Sequence, residues 1–111
     1  MKTGGRASAS SLYNLLMAFD PGQKFQIAPD VLFQEVSGET VLLDLESEQY
    51  FGLDAVGTRI WALIGEGASV AGIIDTLLQE YEVERATLEA DLAELLSRLS
   101  EAGLIRLGNE E

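Results

Sequence analysis

Carboxylates are the only abundant reactive groups in this chain, with 19 Asp and Glu against 7 Lys and Arg and neither histidine nor cysteine. Two carboxyl groups held close together can divide acid and base roles between them. Glu82 with Glu84 and Glu89 with Asp91 are the pairs available. Both pairs fall at polar helix ends and outer helix faces, so solvated surface charge is the plainer reading. Without histidine there is no base that titrates unaided near pH 7, and without cysteine there is no thiolate nucleophile, disulfide or thiolate metal site. Glu39, Asp44, Glu46 and Glu48 lack the Asp-x-Asp-x-Asp-Gly order of a calcium loop. Gly65-Glu66-Gly67 is not followed by the Gly-Lys-Ser/Thr of a phosphate loop. No cofactor and no metal are expected. Aromatic stacking is the remaining chemistry, and Tyr50, Phe51 and Trp61 can either stack a ligand or pack a core. Phe51 and Trp61 stand among apolar residues at strand or helix spacing, which favours the core. Tyr50, opposite in strand phase, is open to both readings, and Gly52 beside it either admits another chain to the backbone or marks an irregular edge.

The elements that must hold these residues are visible in the hydrophobic pattern. Val31–Val36 and Thr40–Leu45 are rich in β-branched and apolar residues, and Ser37-Gly38-Glu39 between them predicts a hairpin whose glycine takes positive φ. Alternation puts Val41, Leu43 and Leu45 on one face, Leu42 and Asp44 on the other. After a polar turn at Glu46–Glu48, Gln49–Leu53 forms a third strand, with Phe51 and Leu53 toward the core, Gln49 outward and Tyr50 on the reverse face. Three strands in sequence make a meander with at least one exposed edge. Asp54 then caps a helix with the stripe Val56, Ile60, Leu63 and Ile64, Trp61 beside it, and Gly65 or Gly67 to stop it. Ser69 caps a second helix carrying Val70, Ile73, Ile74, Leu77, Leu78 and Tyr81 at helical spacing. Glu82-Val83-Glu84 leads to the longest helix, where Leu88, Leu92, Leu95, Leu96 and Leu99 point inward and Gly103 lets the chain leave in a left-handed turn. Leu104, Ile105 and Leu107 either form a short terminal strand or pack beneath the helices. The fold class is therefore α+β and winged-helix-like, a three-stranded antiparallel sheet followed by three helices. No internal repeat is present.

One hundred and eleven residues suit one domain, which we divide into an N-terminal extension, 1–23, and a folded body, 24–111. Gly, Ser and Ala dominate the first eleven residues, a composition expected to be disordered. Leu12, Leu15, Leu16 and Phe19 then share one face of a short helix ended by Pro21-Gly22. About two turns cannot stand alone in water, so this helix must dock or stay unfolded. Lys2, Arg6 and Lys24 against Asp20 give residues 1–29 a net +2, which leaves −14 on the rest of the −12 chain. The extension is thus able to dock on the body, or to join two copies into a homodimer. The longest helix carries Glu84, Glu89, Asp91, Glu94 and Glu101 against Arg85 and Arg98. Such a surface repels phosphates, so a winged-helix regulator of DNA, the alternative that the topology suggests, is disfavoured. No nucleic acid or membrane partner is expected, since no stretch approaches the ~18 apolar residues of a membrane span. Met1-Lys-Thr-Gly-Gly-Arg6 lacks the apolar run of a secretory signal, and a cytoplasmic location is expected.

Leu43-Asp44-Leu45, Tyr50-Phe-Gly-Leu-Asp54, Ile60-Trp61, Ala90-Asp91-Leu92 and the closing Leu99-Ser-Glu-Ala-Gly103-Leu-Ile105 together resemble the PqqD-like family. The resemblance spans Val31 to Ile105. It implies a non-catalytic adaptor, a peptide recognition element or chaperone that captures the leader of a ribosomally made precursor and presents it to another enzyme. In that family the leader adds antiparallel to the third strand and lies between it and the third helix. Carried over residue by residue, the strand side is Gln49, Tyr50, Phe51 and Leu53. The helix side is Glu89, Asp91, Leu92, Leu95 and Arg98, with Asp91 at the family's Asp-plus-aliphatic position. An acidic helix there suits leaders bearing Lys or Arg. The turn from Leu43-Asp-Leu45 into Tyr50-Phe-Gly-Leu-Asp54 looks more like the stand-alone leader-binding proteins of lasso-peptide biosynthesis. The pyrroloquinoline quinone branch carries a Pro-Glu pair where this chain reads Gly38-Glu39-Thr40. The implied partner enzyme is a leader peptidase in the lasso case and a radical SAM enzyme in the quinone-like alternative.

Overall fold

Residues 20–108 are described by the computed structural model. The disordered stretch, helix and docking or dimerising role expected of residues 1–19 lie outside them. Ser37 and Gly38 both take positive φ, +55° and +84°, as a two-residue hairpin turn of the primed type demands. That turn joins β2 (Val31–Val36) to β3 (Glu39–Asp44), and a second turn joins β3 to β4 (Gln49–Leu53). The three strands form an antiparallel meander in the order β2-β3-β4, with β2 and β4 at the edges. The β3–β4 turn is organised by Asp44, whose carboxylate accepts from the Glu46 N–H at 3.1 Å and the Ser47 hydroxyl at 2.8 Å, while Glu48 takes φ +61°.

Three helices follow: α1 (Ala55–Gly65), α2 (Val70–Glu80) and α3 (Arg85–Glu101). Asp54 and Ser69 cap the first two as expected, accepting from the Gly57 and Gly72 N–H groups. Gly103, at φ +78°, releases the chain from α3. The α+β architecture expected from the sequence, a three-stranded sheet ahead of three helices, is the one observed, although winged-helix is a loose description of it.

One pairing was not anticipated. β1 (Lys24–Ile27) runs antiparallel to β5 (Ile105–Gly108), making a separate two-stranded sheet that ties the two ends of the body together. Of the two roles left open for Leu104, Ile105 and Leu107 the chain uses both: Ile105 and Leu107 lie in a strand, Leu104 and Ile105 are buried, and Leu107 is exposed. Residues 20–23, placed with the extension on composition, are fastened to the body: the Pro21 and Gln23 carbonyls accept from the Ala71 and Val70 N–H groups, each at 2.9 Å. They thereby satisfy two first-turn donors of α2 that no intrahelical carbonyl can reach.

The core lies between the sheet and the helices. Leu42, Leu53, Ile60, Trp61, Ile64, Ile73, Leu77, Leu88, Leu92, Leu96 and Leu99 are all buried there. Tyr81, assigned to the apolar stripe of α2, instead ends that helix and is exposed. Trp61 packs in the core, where Phe33 meets its ring edge-on at 5.5 Å. Among the described residues its indole N–H finds no hydrogen-bond partner. Register fixes which face of the sheet is inside. Thr40 pairs with Leu53 and Leu42 with Phe51, so the inward side of β3 is Thr40 and Leu42. The more apolar-looking face is the outer one, and Leu32, Val41, Leu45 and Tyr50 stay exposed upon it.

Candidate functional site

A strand edge and a helix face lie beside each other on one side of the body, with a groove of about 420 Å³ between them. Its apolar floor is Phe51 and Leu53 from β4, Val56 and Ile60 from α1, and Leu95 and Leu99 from α3. Asp54 brings these elements together, because it ends β4 and caps α1 with a 2.8 Å bond from the Gly57 N–H. Glycine at 57 lets that first turn sit tight on the strand: a Cβ there would stand 3.2 Å from the Leu53 Cβ. Asp91, Glu94 and Arg98 form the charged rim along α3.

The groove is open along the backbone of β4, and the hydrogen-bond parity says which amides face it. Neighbouring residues of an antiparallel strand bond to opposite sides in turn. The Leu45 N–H donates to the Asp30 carbonyl at 2.9 Å, toward β2, and the residues flanking the two-residue turn, Val36 and Glu39, bond to each other. Glu39, Val41, Leu43 and Leu45 therefore bond to the β2 side, and Thr40, Leu42 and Asp44 bond to β4. Their partners Leu53, Phe51 and Gln49 spend their amides inside the sheet. That leaves the N–H and C=O of Tyr50 and Gly52 directed at the open edge, two donors and two acceptors at the spacing of a further strand.

The residues expected at this site separate into two groups. Phe51, Leu53, Asp91, Leu95 and Arg98 converge on the groove. Gln49 and Tyr50 lie on the same strand outside its lining. Tyr50 turns its ring to the outer face, 71% exposed, while its backbone serves the edge. Leu92 is fully buried in the core and does not reach the groove. Glu89 is half-buried and engaged by Arg85 at 3.2 Å, also off the groove. Asp54, Val56, Gly57, Ile60, Glu94 and Leu99 line it without having been assigned there. Glu94 was within reach of sequence reasoning, lying three residues after Asp91 and four before Arg98 on one helical face.

No group of three or more metal-ligating side chains occurs among the described residues, and the Asp54 carboxylate is occupied by its cap. The clearest charge pairing lies elsewhere: Arg59 on α1 grips Glu80 on α2 with Nε–Oε1 at 2.9 Å and Nη2–Oε2 at 2.8 Å. The hydrogen bond from Arg59 holds the Glu80 carboxyl below its ordinary range. A ligand that satisfies four backbone groups and fills an apolar trough with alternate side chains is an extended peptide.

Known proteins point the same way. The family model described as coenzyme PQQ synthesis protein D matches residues 39–105. A search of curated proteins returned no match. Among solved structures, TbiB1 in complex with the TbiA(beta) leader peptide is 41% identical, with TM-score 0.70 over 78% of this chain and 99% of that one. A lasso peptide synthetase B1 complexed with the leader peptide is 32% identical, with TM-score 0.69 over 75% of this chain and 98% of that one. With the family model matching from β3 to β5, and similarity of this extent to both structures, the chain belongs to the PqqD family.

Proposed function

We propose that this protein is a non-catalytic adaptor that captures the leader of a ribosomally made precursor peptide and presents the precursor to a processing enzyme. The open edge of β4 beside the α3 groove carries the reading. The leader adds as a fourth strand, exchanging hydrogen bonds with Tyr50 and Gly52. Alternate leader side chains enter the trough over Phe51, Leu53 and Leu95. Complexes of two similar chains with leader peptides support it.

One of these relatives is a lasso peptide synthetase B1, which favours a leader peptidase as the partner enzyme. The radical SAM alternative rests on the family description alone. The adaptor works in the cytoplasm, where precursors are translated, and none of its described helices is long and apolar enough to cross a membrane. The test is an NMR titration with the TbiA(beta) leader peptide, the ligand of the 41% identical relative. Binding in the micromolar range, roughly −8 kcal/mol, should shift amides in 48–53 and 85–99. If saturating peptide leaves both regions unmoved, the assignment is wrong.

A further inference from the structure

Resting on that reading of the β4 edge, we propose that the groove also reads charge. It selects a leader segment in which an apolar side chain has a Lys or Arg two residues to one side. Two residues to the other side stands an acidic or neutral hydrogen-bonding residue. The rule comes from matching two periodicities. Asp91, Leu95 and Arg98 lie at i, i+4 and i+7 on α3, share one face and all line the groove. At 1.5 Å per residue, Leu95 stands about 6 Å along the helix from Asp91, and Arg98 about 4.5 Å further. Same-face residues of an extended chain recur every ~6.8 Å. A strand that lies between β4 and α3 and runs along the helix brings successive groove-facing side chains opposite an acidic, an apolar and a basic position in turn. Glu94 adds a second carboxylate beside Asp91.

Three observations make these charges available to a ligand. Asp91, Glu94 and Arg98 are exposed and enter no ion pair within the described residues, whereas Arg85 on the same helix engages Asp75 and Glu89. No Lys or Arg occurs between Lys24 and Arg59, so the sheet holds no cation of its own to compete for them. The trough beneath is apolar and takes the central side chain, leaving its neighbours at the rim.

An mRNA-display library of random 12-residue peptides, selected separately against the full wild-type chain and three variants, tests this. The variants are Asp91→Lys/Glu94→Lys, its isosteric counterpart Asp91→Asn/Glu94→Gln, and Tyr50→Pro. The wild-type pool should carry Lys or Arg two residues from an apolar position. The charge-reversed protein should select Asp or Glu there, and the isosteric variant should show no preference. Because rim pairs are exposed, reversal should weaken a wild-type-selected peptide about tenfold. An identical charge profile from the wild-type and both α3 variants, around a shared apolar residue, overturns charge reading and leaves strand addition standing. A wild-type pool that binds Tyr50→Pro equally well, or no enrichment by the wild type at all, overturns strand addition and the charge rule with it.

Discussion

Proline substitution along β4 separates folding from binding one residue at a time. Tyr50 N–H faces the open edge, so Tyr50→Pro removes a donor that no described residue uses. The residue before it, Gln49, is already in a strand, which is the conformation that a following proline imposes. Folding should be spared, with the melting temperature within a few degrees of wild type. Binding should not be. A strand added at Tyr50 and Gly52 makes four backbone hydrogen bonds, each contributing about 1 kcal/mol net, or roughly half of a micromolar affinity. Proline deletes one and crowds the edge where its partner forms, so a loss of about 2 kcal/mol, roughly thirtyfold in Kd, is expected. Gln49→Pro does the opposite. It removes a ladder donor to β3 and forces extended backbone on Glu48, which the β3–β4 turn holds at φ +61°. Together these should cost about 3 kcal/mol, and at roughly 4–8 °C per kcal/mol the melting temperature should fall by more than 10 °C. Tyr50→Ala keeps the donor and should bind better than Tyr50→Pro. Fluorescence polarisation with labelled TbiA(beta) leader peptide, paired with thermal melts, reads both quantities. A folded Tyr50→Pro that retains wild-type affinity, beside a Gln49→Pro that is equally stable and equally active, refutes the parity and moves the peptide off this edge.

Leu95→Asp should leave the fold intact, because the side chain is only half-buried at the groove, and should abolish leader binding in the same titration. Gly38→Ala places a Cβ at φ +84° and should lower stability by about 1 kcal/mol, seen as a fall of several degrees in Tm with leader affinity unchanged. Removing residues 1–23 should lower Tm below that of a chain lacking 1–19 alone, because the Pro21 and Gln23 carbonyls that satisfy Ala71 and Val70 are then lost. Glu80 has its folded pKa depressed by the Arg59 hydrogen bond, so its contribution is complete above its ordinary value of 4.5 and fades as pH falls through the folded value. The stability difference between wild type and Glu80→Gln, measured by chemical denaturation, should therefore be present at pH 7 and shrink steadily below pH 4.5.

Helices, caps and the strand meander were legible because each rests on local chemistry: a β-turn glycine, a capping carboxylate, an apolar residue every third or fourth position. The β1–β5 pairing was not. Lys24–Ile27 is four residues long, too short for alternation to show, and its partner lies at the far end of the body, so only tertiary contact makes it a strand. The facing of β3 was half legible. Alternation separates Leu42 from Val41, Leu43 and Leu45, but the choice of inner face belongs to the register with Phe51 and Leu53. At the site, the strand contribution followed from the turn positions. The helix contribution needed the phase of α3 relative to the core. That phase consigns Leu92 to the interior, turns Glu89 toward Arg85, and brings Glu94 to the rim.

Among the described residues the sheet leaves two edges open and exposes Leu32, Val41, Leu45 and Tyr50 on its outer face, which is the usual recipe for strands to stack into aggregates. Its protection is colloidal. Asp30, Glu35, Glu39, Asp44, Glu46, Glu48 and Asp54 surround those edges with no cation among them, so two copies approaching edge to edge repel, while a cationic chain does not. The same edge can thus stay free for a foreign strand and remain closed to its own kind. That discrimination rests on carboxylate charge, so it weakens as pH falls toward the isoelectric point of about 4.2, where the chain as a whole carries no net charge. Mild acid should therefore favour self-association through the same edges.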